Sequence, residues 1–200
     1  FDVLNRLYCA AKKFKLDYIV NITADCPLVE PYYIDEIIRT YEKKKYDLIR
    51  AFDLPHGSFS YGININALKK VIELKDKRDT EVWERYFTDT GLFDIHELKI
   101  KNKLHINPGL RMTLDYPEDL KFLKKIFEEL YKKEKIFNLT QIINLLKRKP
   151  KIIEINKNCS KKFEKKYNSQ SNIKIKKIFN LVKSTKKYKT YSDFMRERCI

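Results

Sequence analysis

The sequence predicts an α/β fold, and three observations carry that prediction. Helix-like and strand-like segments alternate from Asp2 to Phe52, the order that builds a mostly parallel sheet with helices on its faces. A short apolar run, Tyr18–Ile22, and an alternating strand-like run, Leu110–Leu114, are each followed by a turn carrying an aspartate, Asp25 and Asp115. Hydrophobic residues make up 43% of the 200 residues, enough for one core.

The elements follow in order. Asp2 is placed to cap a first helix, in which Val3, Leu4, Leu7, Tyr8 and Ala11 share a face and Lys12, Lys13 and Lys15 close the end. Tyr18–Ile22, rich in β-branched residues, reads as a buried strand. Pro27 cannot donate to a sheet ladder and steers Cys26 away from the helical region, so the chain turns over Thr23–Pro27. Asp25 then stands just past the carboxyl end of a strand, where open α/β sheets bind ligands and a carboxylate can hold a metal ion. It is equally a turn former or the cap of the next helix. Pro31 opens that helix, with Ile34, Ile37, Ile38 and Tyr41 as its buried face and Lys43–Lys45 at its C-terminal end. Tyr46–Phe52 reads as the next strand.

Leu54–Asn66 is expected to turn and then run as an alternating strand, with Ile63 and Ile65 inward and Asn64 and Asn66 outward. The two amides face either a polar ligand or solvent, and Asn66 is also placed to cap a helix over Ala67–Leu74. Asp79 or Thr80 caps a further helix, Glu81–Thr88, whose Trp83, Tyr86 and Phe87 suit a core. Leu92–Ile100 and Lys103–Ile106 are expected as strands, paired antiparallel. Leu110–Leu114 is expected as a strand with Arg111 and Thr113 on one side, and Asp115 past its end is placed to cap the helix that Pro117 opens. That helix carries Leu120, Leu123, Ile126, Phe127 and Leu130. A helix over Leu139–Lys147 and an edge strand over Lys151–Asn156 complete the domain, which is drawn at residues 1–156.

Residues 157–200 read as a separate Lys-rich tail, a loosely docked helix or disordered. The net charge of +16 is concentrated there: residues 151–200 hold 15 Lys/Arg against 4 Asp/Glu. Such a tail opens an alternative reading, a basic protein for nucleic acid or an anionic surface, although no nucleic-acid motif accompanies it. The four cysteines, Cys9, Cys26, Cys159 and Cys199, are scattered, which argues against a zinc site or a disulfide framework and for a reducing cytoplasm. His56, His96 and His105 are likewise scattered and expected to be ordinary surface or core residues. No apolar run approaches the roughly 18 residues of a membrane span. The chain begins with Phe1 rather than Met and opens straight into a helix, so an internal piece of a longer protein is expected.

The ordered pair Ile22-Thr23-Ala24-Asp25-Cys26-Pro27-Leu28 and Arg111-Met112-Thr113-Leu114-Asp115-Tyr116-Pro117-Glu118-Asp119-Leu120 resembles the cytidylyltransferases that make CMP-KDO and CMP-sialic acid, above all their SpsF-like members. The resemblance implies a Rossmann-like nucleotidyltransferase fold with a mixed, mostly parallel sheet, here without its N-terminal strands. It implies transfer of CMP from CTP to an acidic or related sugar for cell-surface polysaccharide, and a possible homodimer. It implies Mg²⁺ held by Asp25 and Asp115, with Thr23 and Ala24 beside the cofactor and Arg111 either on sugar or phosphate charge or paired with a neighbouring carboxylate. Tyr61, Gly62, Asn64, Asn66 and Glu81 fall at the acceptor sugar. Three departures follow. The family's Gly-rich basic nucleotide loop would lie upstream of Phe1, so the chain by itself is expected to be inactive. Gly62–Asn66 matches a pattern that usually reads Gly-x-Asp-x-Glu, with both carboxylates here amides, and a His often found after a Glu is missing at Glu81-Val82. A transferase homologue that has lost its chemistry is therefore a further alternative.

Overall fold

Four strands of the computed structural model, which describes residues 2–75, 78, 82–133 and 135–170, form one mixed sheet in the order β1-β3-β2-β4. They are β1 (Tyr18–Asn21), β2 (Leu48–Arg50), β3 (Tyr61–Asn64) and β4 (Ile95–Glu97). β1, β2 and β4 point the same way and β3 runs against them, so β3 pairs antiparallel with both β1 and β2 while β2 and β4 pair parallel. Successive side chains of a strand face opposite sides, and here the two sides feed two cores. Leu48 and Ile63 pack with α1 (Val3–Lys13) and α3 (Ile65–Leu74), through Leu4, Ala11, Leu68 and Val71. Ile49 and Val20 pack with α2 (Pro31–Lys43), α5 (Pro117–Leu130) and α6 (Leu139–Arg148), through Ile37, Phe122, Ile126 and Ile142. The result is three layers, helix on sheet on helix, with the short α4 (Arg85–Thr88) and the C-terminal α7 (Cys159–Gln170) at the margin. No helix among the described residues is long and apolar enough to cross a membrane.

Caps set the helix starts. Asp2 accepts from the Asn5 N–H at 3.1 Å and opens α1 as expected. Glu30 precedes α2, and its buried carboxylate also accepts from the Leu139 N–H at 2.6 Å, tying the start of α6 to the start of α2. Asn138 and Gln141 cap α6 reciprocally, each accepting from the other's backbone N–H at 3.0 Å.

Several expectations need correction. Ile65 is the first residue of α3 rather than an inward strand residue, because the Asn64 side chain accepts from the N–H groups of Asn66 (2.9 Å) and Ala67 (3.3 Å) and ends β3 there. On α2 the buried stripe is Tyr33, Ile37 and Tyr41, with Ile38 exposed. On α5 it is Asp119, Phe122, Leu123 and Ile126, while Leu120 and Phe127 are exposed. Lys103–His105 is a 3₁₀ turn, closed by the Asn102 side chain accepting from the Leu104 N–H at 3.0 Å. Pro150–Ile155 is also 3₁₀, starting on a proline that has no N–H to give a ladder. Leu110–Leu114 is extended but makes only a one-residue bridge, His56 with Arg111, because its N–H groups go to different partners: Met112 to the His56 carbonyl (2.7 Å) and Leu114 to the Asp25 carbonyl (2.8 Å). Asp115 does not cap α5; Tyr116 precedes the helix, and Asp119 accepts from the N–H groups of Asp115 and Tyr116, each at 3.1 Å. The expected cap at Asp79 or Thr80 and residues 171–200 of the tail lie outside the described residues.

Candidate active site

The carboxyl ends of β1 and β2 and the start of β3 meet at one edge of the sheet, since Asn21 pairs with Tyr61 and Ile49 with Gly62. A cavity of about 780 Å³ opens at that edge, a size that suits a nucleotide or sugar. Its walls come from the turn after β1, the loop between β2 and β3, the segment 108–115, Val82–Glu84 and α7.

One end of the cavity is acidic. Asp25 sits within a tight turn closed by the Cys26 N–H on the Thr23 carbonyl at 3.1 Å. The turn is fastened to the Asp115 segment by the Leu114 N–H (2.8 Å) and the Thr113 hydroxyl (3.2 Å), both on the Asp25 carbonyl. The same hydroxyl lies 3.3 Å from Asp115 Oδ2, so Thr113 touches both acid-bearing segments. Burial pushes the Cys26 thiol up, so it stands beside these acids as a neutral group.

Arg111 is almost fully buried and is engaged by carboxylates. Its Nε donates to Asp119 Oδ1 at 3.1 Å, its Nη2 to Asp119 Oδ2 at 3.0 Å, and Nη2 also reaches Asp115. Asp119 is fully buried and takes a further bond from the Asn156 amide at 2.9 Å. Of the two roles the sequence left open for Arg111, the structure shows the pairing with neighbouring carboxylates: Arg111 bonds both Asp115 and Asp119. His56 Nδ1 lies 3.4 Å from Arg111 Nη1. A guanidinium only donates, so Nδ1 accepts and the proton sits on Nε2. Burial, with Arg111 beside it, holds the His56 pKa below its ordinary value and keeps the ring neutral.

The other end is aromatic. Phe52, Phe59, Tyr61 and Trp83 line it and pack edge to face, with Phe59 and Tyr61 centroids 5.5 Å apart and Tyr61 and Trp83 4.9 Å apart. Glu84 is the acid on this side. Arg50 donates to it and to Glu97, and the Tyr61 hydroxyl donates to Glu84 Oε2 at 3.3 Å. Burial raises the Glu84 pKa, against the opposing pull of Arg50.

The expected site residues separate accordingly. Thr23, Asp25, Arg111, Asp115 and Tyr61 line the cavity. Ala24 is exposed outside its lining. Asn64 and Asn66 do not line it, because β3 runs against β1 and places Asn64 beside Tyr18, at the far end of the sheet. Asn64 there caps α3 and donates to the Tyr41 hydroxyl at 3.1 Å, while Asn66 is exposed in the first turn of α3. Gly62 does not line the cavity either; it is a packing residue whose missing Cβ is filled by the Tyr18 hydroxyl. Glu81 lies outside the described residues. Sequence reasoning missed His56, Glu84, Phe163 and Tyr167, all cavity-lining. A usable signal for His56 was Gly57 after it, at φ +94°, which lets the backbone turn hard against Met112 and Thr113.

Two acid-bearing segments thus meet on one cavity at the carboxyl edge of a mixed α/β sheet. The chain belongs to the cytidylyltransferase family, whose model matches residues 2–198. It is 32% identical over 165 residues to an uncharacterized protein of Methanocaldococcus jannaschii, covering 80% of this chain and 66% of that protein. It is 23% identical over 151 residues to the spore coat polysaccharide biosynthesis protein SpsF of Bacillus subtilis, covering 74% of this chain and 62% of that one. In fold it is similar to a cytidylyltransferase from Leptospira borgpetersenii, with a TM-score of 0.66 at 24% identity over 76% of this chain and 65% of that chain. The chain thus spans just under two thirds of each of these relatives.

Proposed function

We propose that the chain carries the metal and acceptor end of a CTP-dependent cytidylyltransferase that builds a CMP-sugar for polysaccharide synthesis. The observation that supports this most is the fastening of Asp25 to the Asp115 segment through Leu114 and Thr113, which sets two carboxylates from distant parts of the chain on one cavity. Among the described residues no group of three or more His, Cys, Asp or Glu is set to hold a metal, and two carboxylates suit Mg²⁺, which completes its shell with substrate phosphates and water. Held by Asp25 and Asp115, the ion would supply charge neutralisation on the triphosphate. Arg111 fixes the position of Asp115, and the His56 Nε2–H is a neutral donor in the same cavity. The aromatic end receives the sugar. In the reaction a sugar hydroxyl oxygen bonds to the α-phosphorus, the bond from that phosphorus to the bridging oxygen breaks, pyrophosphate leaves, and the hydroxyl proton is released.

The test is pyrophosphate release by the intact protein that contains this chain, with CTP, Mg²⁺ and either KDO or N-acetylneuraminate. Sugar-dependent release is expected. Failure both to bind CTP and to release pyrophosphate would overturn the reading.

A further inference from the structure

α7 lies where the sequence placed a tail, and its aromatic face is turned into the cavity. Its root is anchored by Asn156, which donates to Asp119 Oδ1 (2.9 Å) and to the Arg111 carbonyl (3.2 Å), and by the buried Cys159. From there the helix crosses the site. The Phe163 ring lies 4.9 Å from His56 and 5.0 Å from the Arg111 guanidinium, and Tyr167, one turn on, is 5.9 Å from Phe163. Ser160, Phe163, Glu164 and Tyr167, at spacings of three and four on one helix face, line the cavity together with Lys166. Lys161 and Lys165 are exposed and do not line it. Phe52, Phe59, Tyr61 and Trp83 line the same cavity.

We propose that α7 is a substrate-selecting roof: Phe163 and Tyr167 contact the acceptor and admit a ring that turns uncharged, C–H-rich faces to the aromatic side chains above and below it. A charge set against those aromatic faces would lose its water there without a hydrogen-bonding partner from the rings. Groups on the rim of the ring meet Ser160 and the Glu84 side of the cavity. The identity of the occupant as the acceptor rests on the nucleotidyl-transfer reading above; the roof itself rests on the position of α7.

The intact protein is assayed with CTP and whichever of KDO or N-acetylneuraminate supports pyrophosphate release. Phe163→Ala and Tyr167→Ala each raise the acceptor KM about tenfold or more and leave the KM for CTP within about twofold, the size of a lost apolar contact in a specificity pocket. Lys161→Ala, on the outer side of the same helix, changes neither. Acceptor KM values within about twofold of wild type for both aromatic variants overturn the proposal. A second measurement needs no turnover. Trp83, the chain's one tryptophan, lines the same cavity, so in the 200-residue chain, with folding checked by circular dichroism, both variants raise its acrylamide quenching about twofold. Unchanged quenching in both overturns the roof. If wild type binds no CTP and releases no pyrophosphate, the nucleotidyl-transfer reading fails, and quenching still decides the placement of α7.

Discussion

Leu114 donates its backbone N–H to the Asp25 carbonyl at 2.8 Å, and Thr113 brings its hydroxyl to the same oxygen at 3.2 Å. The two acid-bearing segments are therefore one mechanical unit. In the intact protein Asp25→Asn and Asp115→Asn are each expected to abolish Mg²⁺-dependent pyrophosphate release. Thr113→Val keeps the shape but removes the hydroxyl bridge, and should lower kcat on the order of tenfold through misplaced carboxylates. Steady-state rates for the three variants check this, with melting temperatures to confirm folding.

Asp119 holds the Arg111 side of that unit. Removing one partner of a buried ion pair strands the other, so Asp119→Ala should cost about 3–5 kcal/mol by urea denaturation.

The same carboxylate makes stability depend on acid. Burial acts to raise the Asp119 pKa, but bonds from Arg111, Asn156 and the Asp115 N–H outweigh it and hold the group below the usual carboxylate range. A pKa lower in the folded than in the unfolded state gives stability that is fully present above about pH 4 and is lost as pH falls through the lowered value. Wild-type melting temperature should therefore fall more steeply than that of Asp119→Ala below about pH 4.

Gly57 sits at φ +94°, and a Cβ there would lie 2.7 Å from the Thr113 nitrogen. Neither the backbone angle nor the neighbouring main chain can absorb a methyl group cheaply. Gly57→Ala is expected to destabilise by about 1–3 kcal/mol in chemical denaturation.

Asn64→Ala separates the two readings of that amide. Loss of the α3 cap should cost about 0.5–2 kcal/mol. The acceptor KM should be unchanged, since Asn64 stands at the far end of β3 from the cavity.

Much of the fold was legible because it is written in local patterns. The face of α1, the proline that opens α2, and the apolar run of β1 all depend on near neighbours. The two aspartates were legible because each follows a strand-like run and a turn signal. What was not legible depends on distant partners. Leu110–Leu114 alternates like a strand, but its N–H groups are taken by two separate loops. Asn64 looked like a ligand contact because nothing local states that β3 runs against its neighbours. His56 looked ordinary because Arg111, which sets its tautomer, is far along the chain. The face of α7 was obscured by its lysines, since Phe163 and Tyr167 have meaning only beside the cavity they cover.

β3 also acts as a spacer. It lies between β1 and β2, the strands whose ends carry the Asp25 turn and the aromatic loop. Neighbouring strands stand about 4.8 Å apart, so one intervening strand holds those two ends about 9–10 Å from each other. The spacing of the two strand ends is thus set by the sheet's hydrogen-bond ladder, while the loops and α7 that wall the cavity decide what is gripped between them.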